Sequence, residues 1–125
     1  MQTVVFCKES FEGIHCFPNA PEEVCYLRNA HRHIFNIKVE VNVFHDDRDV
    51  EFIMLKHRVR EWLSKYRDQD GTWRMEELSC EQVACRLISH LDVLYNGKQE
   101  YYNPIRTFIV TVDEDGENGA TVYGN

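Results

Sequence analysis

The stretch His31-Arg32-His33-Ile34-Phe35-Asn36-Ile37-Lys38-Val39-Glu40-Val41-Asn42-Val43 decides the fold. Successive side chains of an extended strand point to opposite faces. One face then carries His31, His33, Phe35, Ile37, Val39, Val41 and Val43, and the other carries Arg32, Ile34, Asn36, Lys38, Glu40 and Asn42. The spacing predicts one long strand, about Ala30 to Phe44, with an apolar core face and two histidines at its N-terminal end.

Upstream, Val5, Cys7, Phe11, Gly13 and His15 alternate in the same way, which predicts another strand with a break near Glu9-Ser10. Pro18-Asn19-Ala20-Pro21-Glu22-Glu23 supplies turn chemistry between the two. Downstream, His45-Asp46-Asp47-Arg48-Asp49 turns the chain and the period changes. Phe52, Leu55, Val59, Trp62, Leu63 and Tyr66 fall at helical spacing and predict a helix over about Glu51–Tyr66, stopped by Asp68-Gln69-Asp70-Gly71. A second helix starts at Ser79-Cys80-Glu81-Gln82, where Ser79 can cap and Gln82 completes a capping box. Its apolar stripe is Val83, Ala84, Leu87, Ile88, Leu91 and Leu94, and Asn96-Gly97 ends it. Two more strands, about Ile105–Val112 and Ala120–Tyr123, flank the acidic turn Asp113-Glu114-Asp115-Gly116-Glu117.

The order is β-β-α-α-β-β. It predicts a single α+β domain over 1–125, a four-stranded antiparallel sheet with both helices on one face. The sheet's other face and its two open edges then need cover, which assembly with further copies can provide.

Composition narrows the function. With 43% hydrophobic and 28% charged residues in 125, the chain has the makings of a packed core and not of a disordered segment. No apolar run approaches the roughly 20 residues of a membrane helix. The start, Met1-Gln2-Thr3-Val4-Val5-Phe6-Cys7-Lys8, lacks the pattern of a secretory signal, so a cytoplasmic location is expected. The odd count of five cysteines fits reduced thiols. The net charge of −7, with lysine and arginine scattered, argues against a nucleic-acid partner, which a basic patch would serve.

Histidine is unevenly spent. His31 and His33 share a strand face, and an adjacent antiparallel strand can add His15 to the same patch. Three neutral imidazoles with a fourth position open form the donor set of a catalytic zinc site, and zinc in such a site polarises a carbonyl or hydroxyl oxygen. The alternative is a polar strand end without a metal.

The residues around the cluster carry a resemblance. Phe11-x-x-x-His15, then Cys25 six positions before His31-x-His33, then the apolar strand, is similar to the 6-pyruvoyl tetrahydropterin synthase family, which includes the 6-carboxytetrahydropterin synthases. Val50-Glu51-Phe52-Ile53-Met54-Leu55-Lys56 resembles the family's entry into its first helix, and Ser79-Cys80-Glu81-Gln82-Val83-Ala84 its second helix start. Val112-Asp113-Glu114-Asp115 and Ala120-Thr121-Val122-Tyr123 resemble its glutamate-bearing and tyrosine-bearing final strands. The likeness runs in order over about positions 4–123. It implies the T-fold, zinc on His15, His31 and His33, Cys25 as the proton-moving catalytic residue, and Glu114 as acceptor for the N–H groups of a pterin ring. Glu81, read on its own position, can reach the pocket or else answer the dipole at the helix N-terminus. The resemblance also implies a homo-oligomer, trimer or hexamer, with sites between subunits, and a lyase-type reaction on a reduced pterin or related purine-derived compound.

Two departures qualify that reaction. Arg32 stands where the family has glycine between the histidines, but it points away from the metal side of the strand. The family's Leu-Asp-His segment is missing: Leu63 to Met75 contains no histidine, His57 and His90 lie within helices, and only Asp68 and Asp70 offer carboxylates there. A positioned imidazole is typically worth about 10²–10⁴-fold in general acid–base catalysis. A non-catalytic protein that binds a pterin- or nucleotide-like ligand is therefore the competing expectation. Of the remaining candidates, Cys7, Cys16, Cys80 and Cys85 read as buried or half-buried small hydrophobes, Cys16 facing the other side of an ideal strand from His15, and His45 among its aspartates reads as a surface turn.

Overall fold

In the computed structural model, which describes residues 1–97 and 104–124, the two histidine-bearing strands pair along their whole length. Strand β1 (Thr3–His15) runs antiparallel to β2 (His31–Val43), from Thr3 opposite Val43 to His15 opposite His31. On the other side of β2 lies β4 (Phe108–Glu114), antiparallel, with Phe35 opposite Glu114, and β5 (Asn118–Tyr123) forms a hairpin with it. The helices are α1 (Phe52–Leu63) and α2 (Cys80–Asn96). A short 3₁₀ segment, Glu22–Arg28, fills the β1–β2 connection, and another, Ser64–Tyr66, follows α1 directly.

The period-two row becomes the core. Phe35, Ile37, Val39 and Val41 of β2 are buried with Cys7 and Phe11 of β1 and with Phe108, Val110 and Val112 of β4. They pack with Leu55, Val59, Trp62 and Leu63 of α1 and with Val83, Ala84, Leu87 and Leu91 of α2. Each buried valine, leucine, isoleucine or phenylalanine contributes about 1.5–3 kcal/mol by leaving water. The capping box at the start of α2 forms: the Ser79 hydroxyl accepts from the Gln82 N–H, and the Gln82 side chain accepts from the Ser79 N–H. Phe52 and Leu94, expected on the apolar stripes, instead lie at exposed positions.

The architecture is α+β, but the sheet is five-stranded and mixed, with a further strand on the outer edge of β1, and not four-stranded and antiparallel. The added strand is β3 (Trp73–Glu76), between the helices, which runs parallel to the end of β1: Gly13 faces Trp73, Ile14 faces Arg74 and His15 faces Glu76. Four residues are too few for period two to stand out. Yet Met75 is fully buried and Trp73 half-buried, while Arg74 and Glu76 face solvent. The expected break near Glu9-Ser10 is also absent. Glu9 interrupts the apolar row, but Arg60 of α1 pairs with its carboxylate, so a charge on the helix side of the sheet is neutralised and β1 continues.

Gly13 shapes the end of the sheet that carries the histidines. A Cβ there would lie 2.8 Å from the Phe35 ring. Without it, Phe35 stacks on Phe11, at 5.5 Å between ring centroids, and meets His15 edge-on at 5.1 Å. The face of the sheet away from the helices includes Phe6, Ile34 and Tyr123, all exposed. No helix among the described residues is long and apolar enough to cross a membrane.

Candidate metal centre

The β1–β2 register sets His15 opposite His31, and the strand period returns His33 to the same face two residues on. Ring centroids are 4.5 Å apart for His15–His31, 5.4 Å for His15–His33 and 5.0 Å for His31–His33. One nitrogen from each ring lies within 4.8 Å of the others, close enough to hold one metal ion.

Each ring has its other nitrogen engaged. His15 Nδ1 lies 3.0 Å from the Leu78 carbonyl, His31 Nδ1 2.8 Å from the Asn29 carbonyl, and His33 Nδ1 2.6 Å from the Asp115 carboxylate. All three partners are acceptors, so each Nδ1 is the donor, and in the neutral ring each Nε2 presents a lone pair. His15 Nε2 and His33 Nε2 are buried and have no hydrogen-bond partner. Leaving such atoms unpaired costs about 1–3 kcal/mol each. A cation bound by the Nε2 lone pairs removes that cost, and an acceptor on the far nitrogen is the usual outer shell of a metal-bound imidazole. The residues present therefore fit a metal.

The outer-shell groups come from distant segments. Leu78 follows β3, in a turn closed by the Leu78 N–H donating to the Met75 carbonyl at 3.1 Å. Asp115 sits in the β4–β5 turn with φ of 60°, a left-handed conformation that aspartate tolerates better than most residues. Its carboxylate also accepts from the Ile34 N–H at 2.8 Å, and its own N–H donates to the Ile34 carbonyl at 2.7 Å. The hydrogen bond from His33, followed by that from the Ile34 N–H, holds the Asp115 carboxyl below its usual range. None of these partners was expected from sequence. Backbone carbonyls leave no side-chain signature, and only the Asp115-Gly116 turn dipeptide hinted at the third.

Glu114, the last residue of β4, reaches the same place. Its two carboxylate oxygens lie 3.2 Å from His15 Nε2 and 3.3 Å from His33 Nε2. The Cys80 thiol lies 3.9 Å from one of those oxygens. Burial, then the charge of Glu114, pushes that thiol up to about 12, so Cys80 remains a protonated donor at neutral pH.

A cleft of about 650 Å³ opens beside the cluster, with His15, His31 and Glu114 in its wall. Phe17, Pro18, Leu27 and Leu78 give it apolar sides. Glu77, Glu81 and Gln82 also line it, with Glu81 and Gln82 in exposed positions at the start of α2. Its lining has three carboxylates and no lysine or arginine among the described residues. Cys16 lines it too. The strand register shifts between Ile14 and His15, so ideal alternation no longer decides where Cys16 points.

Other expected residues lie elsewhere. Cys25 is half-buried in the 3₁₀ segment Glu22–Arg28, and Leu27, two residues on, lines the cleft where Cys25 does not. Asp68 and Asp70 belong to the turn before β3, where they accept from the Thr72 N–H and pair with Arg74. His57 is exposed on α1, and His90 lies on α2 beside Trp62 and Lys65. His45 pairs with Asp49 in the turn after β2.

These features define an α+β protein with a three-imidazole cluster that can take a metal at the wall of an acidic cleft. No protein-family model matches the chain, and no curated protein matches it either.

Proposed function

We propose that His15, His31 and His33 hold zinc, and that the chain is a T-fold protein akin to the 6-pyruvoyl tetrahydropterin synthases that takes a reduced pterin or a related purine-derived compound in the adjacent cleft. The observation that carries the metal is the protonation pattern. Three Nδ1 atoms face acceptors, and their Nε2 partners converge with two of them buried and unpaired. Imidazole donors suit zinc among the common divalent metals. When bound, zinc would supply Lewis-acid polarisation of a ligand oxygen.

The cleft's composition favours the ring. Glu77, Glu81 and Glu114 are acceptors without a competing cation in the lining, which suits a heterocycle rich in N–H donors better than a phosphate. Glu114 and Glu81 are the proposed ring acceptors, and Cys25 the proton carrier of a lyase-type reaction at the side chain. The uncovered sheet face, with Phe6, Ile34 and Tyr123 exposed, favours a homo-oligomer, trimer or hexamer, whose neighbouring subunits would complete the site.

A second reading is a binding protein on the same scaffold that holds such a ligand without turnover. It is favoured by the position of Cys25 outside the cleft lining and by the absence, among the described residues, of any imidazole in that lining besides His15 and His31.

Metal analysis of the purified protein and of His31→Ala tests the centre. Zinc near one per chain, lost in the variant, is expected, and no zinc in either overturns the proposal. Incubation with dihydroneopterin and with its triphosphate, followed by product fluorescence and by equilibrium binding, separates the readings. Turnover abolished by Cys25→Ala supports the enzyme, tight binding without turnover supports the binder, and neither binding nor turnover overturns the pterin assignment.

A further inference from the structure

No hydrogen-bond geometry joins Glu114 to the two imidazole Nε2 atoms it lies against, so for neutral rings the contact has no partner chemistry of its own. With Nδ1 the donor on His15 and His33, each Nε2 of the neutral ring carries a lone pair, and the carboxylate oxygens at 3.2 and 3.3 Å carry lone pairs too. Neither Nε2 accepts or donates a hydrogen bond there. Acceptors in van der Waals contact repel unless a cation lies between them. The spacing is that of neighbouring ligands: metal bonds of 2.0–2.1 Å at tetrahedral angles set donor atoms about 3.4 Å apart.

The carboxylate is also held in position. Glu114 closes β4 opposite Phe35, on the same inward face as Val112 and Val110. The next residue, Asp115, is tied to Ile34 through both its backbone N–H and its carboxylate. The strand end therefore cannot swing away from β2 without breaking those bonds. The Cys80 thiol, 3.9 Å from Glu114 Oε1, is placed as a donor to the oxygen that faces His15.

We infer that Glu114 is the fourth metal ligand, so that the resting centre is a closed set of three imidazoles and one carboxylate. This rests on the metal centre proposed above and changes what that centre does. A three-imidazole site with an open position offers it to water or ligand at once. With Glu114 as a ligand, an incoming oxygen would compete with the carboxylate for the metal, and a displaced Glu114 would be free to accept from the ligand's N–H groups. Metal binding and ring recognition become alternative uses of one side chain.

Titration of the metal-free full chain with Co²⁺, followed by visible absorption, tests this without reference to turnover. Four-coordinate cobalt absorbs strongly, and five- or six-coordinate cobalt weakly. The wild type is expected to give the strong bands. Glu114→Gln is expected to lose about 10- to 100-fold in affinity, taking the loss of an outer-shell partner as the lower guide, and to change the bands. Glu114→Ala, in which water can take the vacated position, is expected to shift the bands, and added acetate to restore them. Circular dichroism checks that both variants are folded. Unchanged affinity and bands in both variants, with binding abolished in His31→Ala, overturn ligation by Glu114 and leave the three-imidazole centre standing. A fall in affinity with unchanged bands reports long-range attraction only and overturns ligation as well. No cobalt binding by the wild type overturns both.

Discussion

Replacing Asp115 is expected to weaken metal binding at the histidine cluster without removing any of its three imidazoles. The Asp115 carboxylate accepts from His33 Nδ1 at 2.6 Å, the shortest of the three outer-shell contacts and the only one made by a side chain. Asp115→Asn keeps an acceptor oxygen but removes the charge that strengthens His33 as a donor. Asp115→Gly removes the group altogether while suiting the left-handed backbone, whose φ is 60°. Loss of such a partner typically costs 10–100-fold in metal affinity. The Asp115 side chain is 44% exposed, so solvent screens part of its charge. We therefore expect about tenfold for the asparagine variant and about 100-fold for the glycine variant. The assay is competition for Zn²⁺ against a chromophoric chelator, at low and high salt, with thermal melting of the metal-free proteins alongside. The asparagine penalty should shrink at high salt, because an exposed charge is being lost. Wild-type affinity in both variants would refute orientation of His33 by Asp115. So would a loss matched in full by a lower melting temperature of the metal-free chain, since the turn and not the ligand would then be failing.

Gly13→Ala places a methyl 2.8 Å from the Phe35 ring and should destabilise by about 1–3 kcal/mol in urea unfolding; no change would mean that the stack beneath the histidines has room to shift. Ser79→Ala removes the hydroxyl that accepts from the Gln82 N–H and should cost about 1 kcal/mol by the same measurement. Asp49, bound by Arg106 and by the Phe44 N–H, has its carboxyl lowered from 3.8 to about 2. Its folded value is depressed, so its contribution is present above about pH 4 and is lost as pH falls towards 2. The gap corresponds to a ceiling of about 2 kcal/mol, reduced to about 1 by solvent screening. Asp49→Asn should therefore flatten the stability profile between pH 4 and 2, and an unchanged slope would show that the Arg106 pair is not acid-sensitive.

The legible parts of this chain were those in which side chains repeat. The row from His31 to Val43 fixed β2, its apolar face and the direction of two imidazoles, and the antiparallel neighbour delivered His15. The capping box marked the start of α2 to the residue. β3 escaped because its inward residues are only Trp73 and Met75, and because its pairing with β1 joins segments about 60 positions apart. Glu9 read as a break because the partner that neutralises it, Arg60, lies on a helix whose packing the sequence does not display. At the site, the donor set was visible but its wiring was not. Two of the three Nδ1 acceptors are main-chain carbonyls, which any residue could supply. Cys25 was singled out by spacing to His31 alone, and spacing along a chain does not tell which way a 3₁₀ segment turns its thiol.

The short parallel strand β3 has a kinetic consequence. His15 depends on the Leu78 carbonyl for the orientation of its ring, and the two are 63 positions apart. Local pairing of β1 with β2 can bring the three imidazoles together early, but the ring of His15 acquires its orientation only when β3 docks on the sheet edge. Contacts of such long sequence separation form slowly, and four-residue edge strands open readily in the native state. A metal at the cluster would bind the docked form and not the open one, and would thereby stabilise that edge by mass action. The Cys16 amide, which donates to the Glu76 carbonyl at 2.9 Å across the β1–β3 seam, is the place where such protection against hydrogen exchange would be read.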